Sequence, residues 1–202
     1  MMNNISKNEL AIALNQIGAL KFGDFTLKSG IESPMYIDLR LLISHPALMK
    51  QVAKVYSEMI KDIHFDRLAG VAYAALPIAG AISLEMERPW IFLRKEAAVK
   101  AYGLQKALEG EWYEQEEILV IEDLTTKGTS LLEVVSALQS FDLRISDAAV
   151  LLDYNKGGEI ALQEAGVNLH HFATIREMVD VMLELGKIDA AHHARCIEFV
   201  ET

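Results

Sequence analysis

Residues 118–130 read Ile118-Leu-Val-Ile-Glu122-Asp123-Leu124-Thr125-Thr126-Lys127-Gly128-Thr129-Ser130. The apolar run Ile118 to Ile121, bounded by polar residues, predicts a core strand of a parallel sheet, with Glu122 and Asp123 at its carboxyl end. Thr125, Thr126, Gly128, Thr129 and Ser130 then predict a turn rich in hydroxyls and backbone N–H groups. Leu131, Leu132, Val134, Val135 and Leu138 follow at helical spacing, so the turn opens onto a helix N-terminus, where N–H groups and the dipole favour an anion. The two carboxylates would repel a phosphate but accept hydrogen bonds from ribose hydroxyls. The stretch is therefore suited to a phosphorylated sugar. No Walker A pattern and no GxGxxG after a strand competes with it.

Working outward, strands at Leu68–Val71, Trp90–Leu93, Ile118–Ile121, Ala148–Leu152 and Leu169–Ala173 alternate with helical stretches at about Ile78–Glu87, Leu131–Gln139, Glu159–Ala165 and Ile175–Leu185. That alternation predicts a doubly wound α/β fold, with a mostly parallel sheet and helices on both faces. Ligands of such sheets sit at the carboxyl ends of the strands, so the segments after Val71, Leu93, Ile121 and Leu152 should converge. Ahead of the sheet, Ser6 and Glu9 make a capping box for a short first helix ending at Gly18. Asp24–Leu27 and Met35–Leu39 read as a hairpin forming a small N-terminal hood, and Pro46–Lys61 as an amphipathic helix. The expected organisation is one domain over 1–202, with hood elements at about 1–45 and the core at about 46–202. Arg94 to Glu116 is too long and polar for a plain connection and is expected to be a mobile loop.

Composition bounds the partners. The chain has 202 residues, 51% hydrophobic, and a formal net charge of −10, which disfavours nucleic acid and anionic membranes. It has one cysteine, so no internal disulfide, and no apolar run near the roughly 18 residues of a membrane span. With no signal-peptide pattern at the N-terminus, a cytoplasmic location is expected. His170, His171, His192, His193 and Cys196 lack the spacing of a zinc site, so no metal ligand set is assigned.

Residues 122–130 resemble the phosphoribosyl-diphosphate motif of the type I phosphoribosyltransferases, with Lys127 where the family usually has Thr, Ser or Ala and Thr125 replacing a usual Val or Ile. FTLKSGIESPMYIDLR, GVAYAALPIA, RKEAAVKAYGLQKALEGE and LLDYNKGG follow the order expected of the orotate phosphoribosyltransferases. From about Leu20 to Leu185 the chain looks like that family, closest to forms fused to orotidylate decarboxylase. Its length suggests a free-standing transferase. The resemblance implies transfer of the phosphoribosyl group of phosphoribosyl diphosphate to orotate, giving orotidine monophosphate and pyrophosphate, with Mg²⁺, in a homodimer with shared active sites.

That resemblance also assigns residues. Breaking the bond from the anomeric carbon to pyrophosphate creates an oxocarbenium-like centre and a highly charged leaving group, so cations and carboxylates are both required. Arg94, Lys95 and Lys100 would contact the pyrophosphate, Lys100 and its neighbour Tyr102 lying on a loop that reaches the other subunit's site. Tyr73 and Ala74 belong to the small-residue turn expected to offer backbone donors to the diphosphate. Lys28, Met35, Tyr36 and Thr126 would meet orotate. Tyr154 stands where the family has an arginine that helps read the base. Asp123, with Glu122, would hold the sugar, and Leu124, Thr125, Lys127, Gly128, Thr129 and Ser130 complete the phosphate turn. Two alternatives stay open: the same chemistry on another base, signalled by Tyr154, or a non-catalytic nucleotide sensor, signalled by the lengthened loop and the absent cation at Ala74.

Overall fold

The structure, a computed structural model, describes residues 5–27, 30–94 and 107–201. The chain begins with α1 (Lys7–Gln16), where Ser6 and Glu9 form both halves of the capping box and Gly18, at φ +75°, follows the last turn. Such a cap contributes about 1 kcal/mol. The hairpin is β1 (Leu20–Thr26) with β2 (Glu32–Ile37), antiparallel with a register shift between Phe22 and Phe25. It starts earlier than the sequence suggests, because Leu20 pairs with Ile37 and both ends rest on core residues. A 3₁₀ turn (Leu39–Ser44) leads to α2 (Pro46–Ile60), with proline in the first turn.

The main sheet comprises β3 (Arg67–Gly70), β4 (Trp90–Leu93), β5 (Leu108–Glu109), β6 (Glu117–Thr125), β7 (Arg144–Asp153) and β8 (Asn168–Thr174). Their order is β5-β4-β3-β6-β7-β8, parallel throughout except for the antiparallel β5 on β4. Connecting helices are α3 (Ala75–Met86), α4 (Thr129–Gln139), α5 (Gly158–Glu164) and α6 (Ile175–Glu184). α2 and α3 pack on each other and on the sheet, while α4 and α5 pack on each other and on its later strands, giving the doubly wound α/β architecture. Ile118 to Ile121 are each no more than 1% exposed, as expected of a strand covered on both faces.

Two features correct the sequence reading. The stretch 94–116 ends in ordered structure, since Leu108 and Glu109 form an edge strand and Arg94 N donates to the Ala107 carbonyl at 2.8 Å. A strand of two residues has no periodicity to detect. The chain also gains a helix that the sequence reading above does not include, α7 (Ala190–Glu201). It packs on β2 and on α6, so the hood is built from both ends of the chain. His192 Nε2 lies 2.7 Å from the Pro34 carbonyl, and Arg195 pairs with Asp24 of β1. His193 Nε2 meets Asp180 at 2.6 Å and His170 Nε2 meets Asp147 at 2.7 Å, so these histidines serve separate structural contacts.

Candidate active site

β6 outruns the expected strand. Pairing with β7 continues through Glu122↔Val150, Leu124↔Leu152 and Thr125↔Asp153, so the carboxylate pair sits inside the last turn of ladder rather than after it. Alternation then sends side chains to opposite faces. Glu122 is 8% exposed and its Oε1 accepts the Asp123 N–H at 3.1 Å. The fully buried Tyr56 of α2 donates its hydroxyl to the Glu122 carbonyl at 2.6 Å. Burial pushes the Asp123 carboxyl above the ordinary aspartate range, against the lowering effect of its hydrogen bonds to Glu122 and the main chain. A partly desolvated carboxylate in this position can act as a strong hydrogen-bond acceptor.

The turn has the conformation its sequence implies. Gly128 adopts φ +76° and caps α4 without a side-chain bond, leaving N–H groups of the first helical turn for a ligand. Thr126, Lys127, Thr129 and Ser130 are exposed, while Thr125 is buried at 5%. The loop after β7 supports the turn from outside: Tyr154 N donates to the Thr125 carbonyl at 2.9 Å. A Cβ on Gly158 would stand 2.9 Å from the Thr126 carbonyl and 3.1 Å from the Gly128 nitrogen. Only glycine fits that approach.

On the other side, the Val71 N–H donates to the Ile121 carbonyl at 2.9 Å, tying the end of β3 to β6. The turn Ala72–Ala74 follows, with a cis peptide between Ala72 and Tyr73, and Ala74 begins α3 with no side-chain cap. Tyr73 is 63% exposed over this turn. Arg94, directly after β4, pairs its guanidinium with Glu109 of β5. The carboxyl ends of β3, β4, β6 and β7 thus converge as expected of this sheet type.

In the hood, Met35 is 1% exposed and belongs to the core, whereas Tyr36 is half-buried with its ring 5.7 Å from that of Phe25. Of the pair, Tyr36 is the one with an accessible face. Tyr154 is half-buried on the outer side of the phosphate turn, and burial, with Cys196 of α7 adding to it, raises its phenol to about 12. Lys28, Lys95, Lys100 and Tyr102 lie outside the described residues. Sequence reasoning missed Tyr56 and Asp153. The latter, 1% exposed at the end of β7, accepts the Asn155 N–H at 2.8 Å and shapes the loop that backs the turn. Burial raises its carboxyl as well. The Asp in LLDYNKGG was the available signal.

Among the described residues, no three His, Cys, Asp or Glu side chains are placed to cage a metal. The acidic side chains at the end of β6 are Glu122 and Asp123, too few to cage a cation alone. No described helix is long and apolar enough to cross a membrane.

A parallel sheet presenting a carboxylate pair, an anion turn and a small-residue turn at neighbouring strand ends is the arrangement of a phosphoribosyltransferase-type protein. Residues 42–164 match the model of the phosphoribosyl transferase domain. The chain is 36% identical over 171 residues to the orotate phosphoribosyltransferase of Methanosphaera stadtmanae, covering 85% of this chain and 95% of that protein. It is 37% identical over 194 residues to the uridine 5′-monophosphate synthase of Bos taurus, covering 95% of this chain but 40% of the bovine protein. The solved structure of Leishmania donovani UMP synthase superposes with a TM-score of 0.87 at 35% identity, over 98% of this chain and 43% of that one. The chain thus spans about two fifths of those two synthases. It belongs to the phosphoribosyltransferase family, among the orotate phosphoribosyltransferases.

Proposed function

We propose that the protein transfers the phosphoribosyl group of phosphoribosyl diphosphate to orotate, giving orotidine 5′-monophosphate and pyrophosphate, a step of pyrimidine nucleotide synthesis. The end of β6 carries this reading, because Glu122 and Asp123 immediately precede a turn whose free N–H groups open α4. The turn would hold the 5′-phosphate and the carboxylates the ribose hydroxyls, fixing the anomeric carbon between the base and the leaving diphosphate. The Ala72–Ala74 turn and Arg94 would receive the diphosphate, with Lys95 and Lys100 contributing further cations. Arg94 must then exchange Glu109 for the ligand. As the bond to pyrophosphate breaks, positive charge gathers on the ribosyl centre, and a fixed carboxylate nearby stabilises it more than it stabilises the ground state. Mg²⁺, held by the diphosphate with Asp123 beside it, would neutralise part of the leaving-group charge.

For the base, Lys28, Tyr36 and Thr126 would supply a cation, a flat face and a hydroxyl, and Tyr154 a further wall. A single domain acting in the cytoplasm as a homodimer, with Lys100 reaching the neighbouring site, belongs to the same proposal. The test is pyrophosphate release from phosphoribosyl diphosphate and Mg²⁺ with and without orotate. Orotate-dependent release supports the reading. Release with another base only, or none with any base, contradicts it. Mixing Lys100→Ala with Asp123→Asn chains should restore up to about half the per-site activity in mixed dimers if the sites are shared.

A further inference from the structure

A cavity of about 480 Å³ lies on the outer flank of the phosphate turn, between the β7–α5 loop, the start of α6 and the end of α7. Its charged lining is Lys127, Lys156, Arg176 and Glu201. Glu201 pairs with Arg176. Lys156 Nζ donates to the Phe199 carbonyl at 2.7 Å and sits 4.8 Å from the Phe199 ring centre, which fixes the ammonium without neutralising it. Lys127 makes no hydrogen bond or ion pair among the described residues. Among the described residues, the lining therefore carries three cations against one acid, in a chain whose net charge is −10. Burial and, after it, the nearby Lys127 lower the Lys156 ammonium below the ordinary lysine value. Two like charges held this close favour an anion between them.

This cavity is separate from the diphosphate position. In the order β3-β6-β7-β8, at about 4.8 Å per strand, the end of β8 is roughly 14 Å from the end of β3. Tyr154, whose other face is the one proposed to wall the base, and Val200 line it, and Asn155 adds a side-chain amide. The volume is that of a small-molecule site.

We infer that the cavity bounded by Lys127, Lys156 and Arg176 is a second anion site, taking the phosphoryl group of a small phosphate-bearing ligand. Its lining reaches the phosphate turn through Lys127 and the hood through α7, so an occupant would bridge the two. The inference does not depend on which base, if any, the protein transfers.

Two probes distinguish the ligand's source: orthophosphate, and adenosine and uridine monophosphates. Each is titrated into the whole protein while backbone amide NMR shifts are followed at Asn155, Lys156 and Arg176, and separately at Gly128 to Ser130. The cavity amides are expected to saturate with their own constant, distinct from that of the turn. Lys156→Gln should weaken that constant roughly tenfold, as loss of one charge-assisted contact implies, and leave the turn's constant unchanged. Glu201→Gln, which removes the competing carboxylate, should tighten it by roughly threefold or more. A merely structural role for Glu201 would not produce tighter binding, and this variant keeps the test decisive if Lys156→Gln fails to fold. Stronger binding of the nucleotides than of orthophosphate identifies a nucleotide ligand, and equal binding identifies free phosphate. Cavity shifts that are absent, that track the turn in every variant, or that ignore Glu201→Gln would overturn the proposal.

Discussion

The hydroxyl of Tyr56, in the middle of α2, donates to the main-chain carbonyl of Glu122 at 2.6 Å, linking a fully buried helix residue to the strand end that carries the carboxylate pair. Removing that donor leaves a buried carbonyl short of a partner, at a cost of about 1–2 kcal/mol. Tyr56→Phe should therefore lower Tm by roughly 3–6 °C for a chain of this size. It should also reduce kcat/KM several-fold, because the Glu122–Asp123 backbone loses a fixed point. Calorimetry with steady-state kinetics checks both. Unchanged kinetics in a destabilised variant would make Tyr56 structural only.

Asp123→Asn should separate stability from activity. The native carboxyl is raised above the ordinary aspartate value of 3.8 by burial. A raised folded value means the native state favours the protonated form, so the stability tied to that proton is present below the unfolded value and lost as pH rises through the folded one. At neutral pH the buried charge thus costs stability. Asn removes it, and Tm at pH 7 should rise, with the difference shrinking as pH falls through the raised native value and gone below 3.8. Loss of the charged contact to the sugar should cost on the order of 2 kcal/mol, about thirtyfold in kcat/KM. Thermal melts across pH, paired with kinetics, test the two signs together.

Gly158→Ala should damage the phosphate turn without touching a ligand. The new methyl would meet main-chain atoms at 2.9 and 3.1 Å, which cannot rotate away, so residues 126–128 must shift. KM for phosphoribosyl diphosphate should rise roughly tenfold, a loss of about 1.4 kcal/mol. Gly80→Ala is the control: in the interior of α3, its methyl would meet only Trp90 at 3.8 Å. Helix propensity then favours alanine by up to about 1 kcal/mol, and KM should not move.

The hydroxyl-rich turn and its carboxylates were legible because the pattern is written in consecutive residues: a buried strand, two acids, hydroxyls, a glycine and a helix start. Three kinds of feature were not. The start of α3 lies at Ala75, ahead of the expected Ile78, because Pro77 falls in the first turn, where a missing N–H costs nothing. The two-residue β5 has no apolar rhythm, and α7 carries only a short one: Cys196 and Val200 one turn apart, with Ile197 and Phe199 beside them; it is held further by polar contacts to Asp24 and Pro34, more than 150 positions away. The support of Glu122 by Tyr56 is likewise long-range, and in sequence Tyr56 reads as one more core position of an amphipathic helix.

The base transferred is the central claim, and a competition measures it most directly. Orotate, uracil, hypoxanthine and adenine are supplied together at equal concentration with phosphoribosyl diphosphate and Mg²⁺, and the nucleotide products are quantified by mass spectrometry as ratios of kcat/KM. Orotidine monophosphate is expected to dominate by at least a hundredfold, since a site built around donors for an anionic base leaves them unpaired with a neutral one. Preferential formation of any other nucleotide, or of none, would contradict the assignment of orotate.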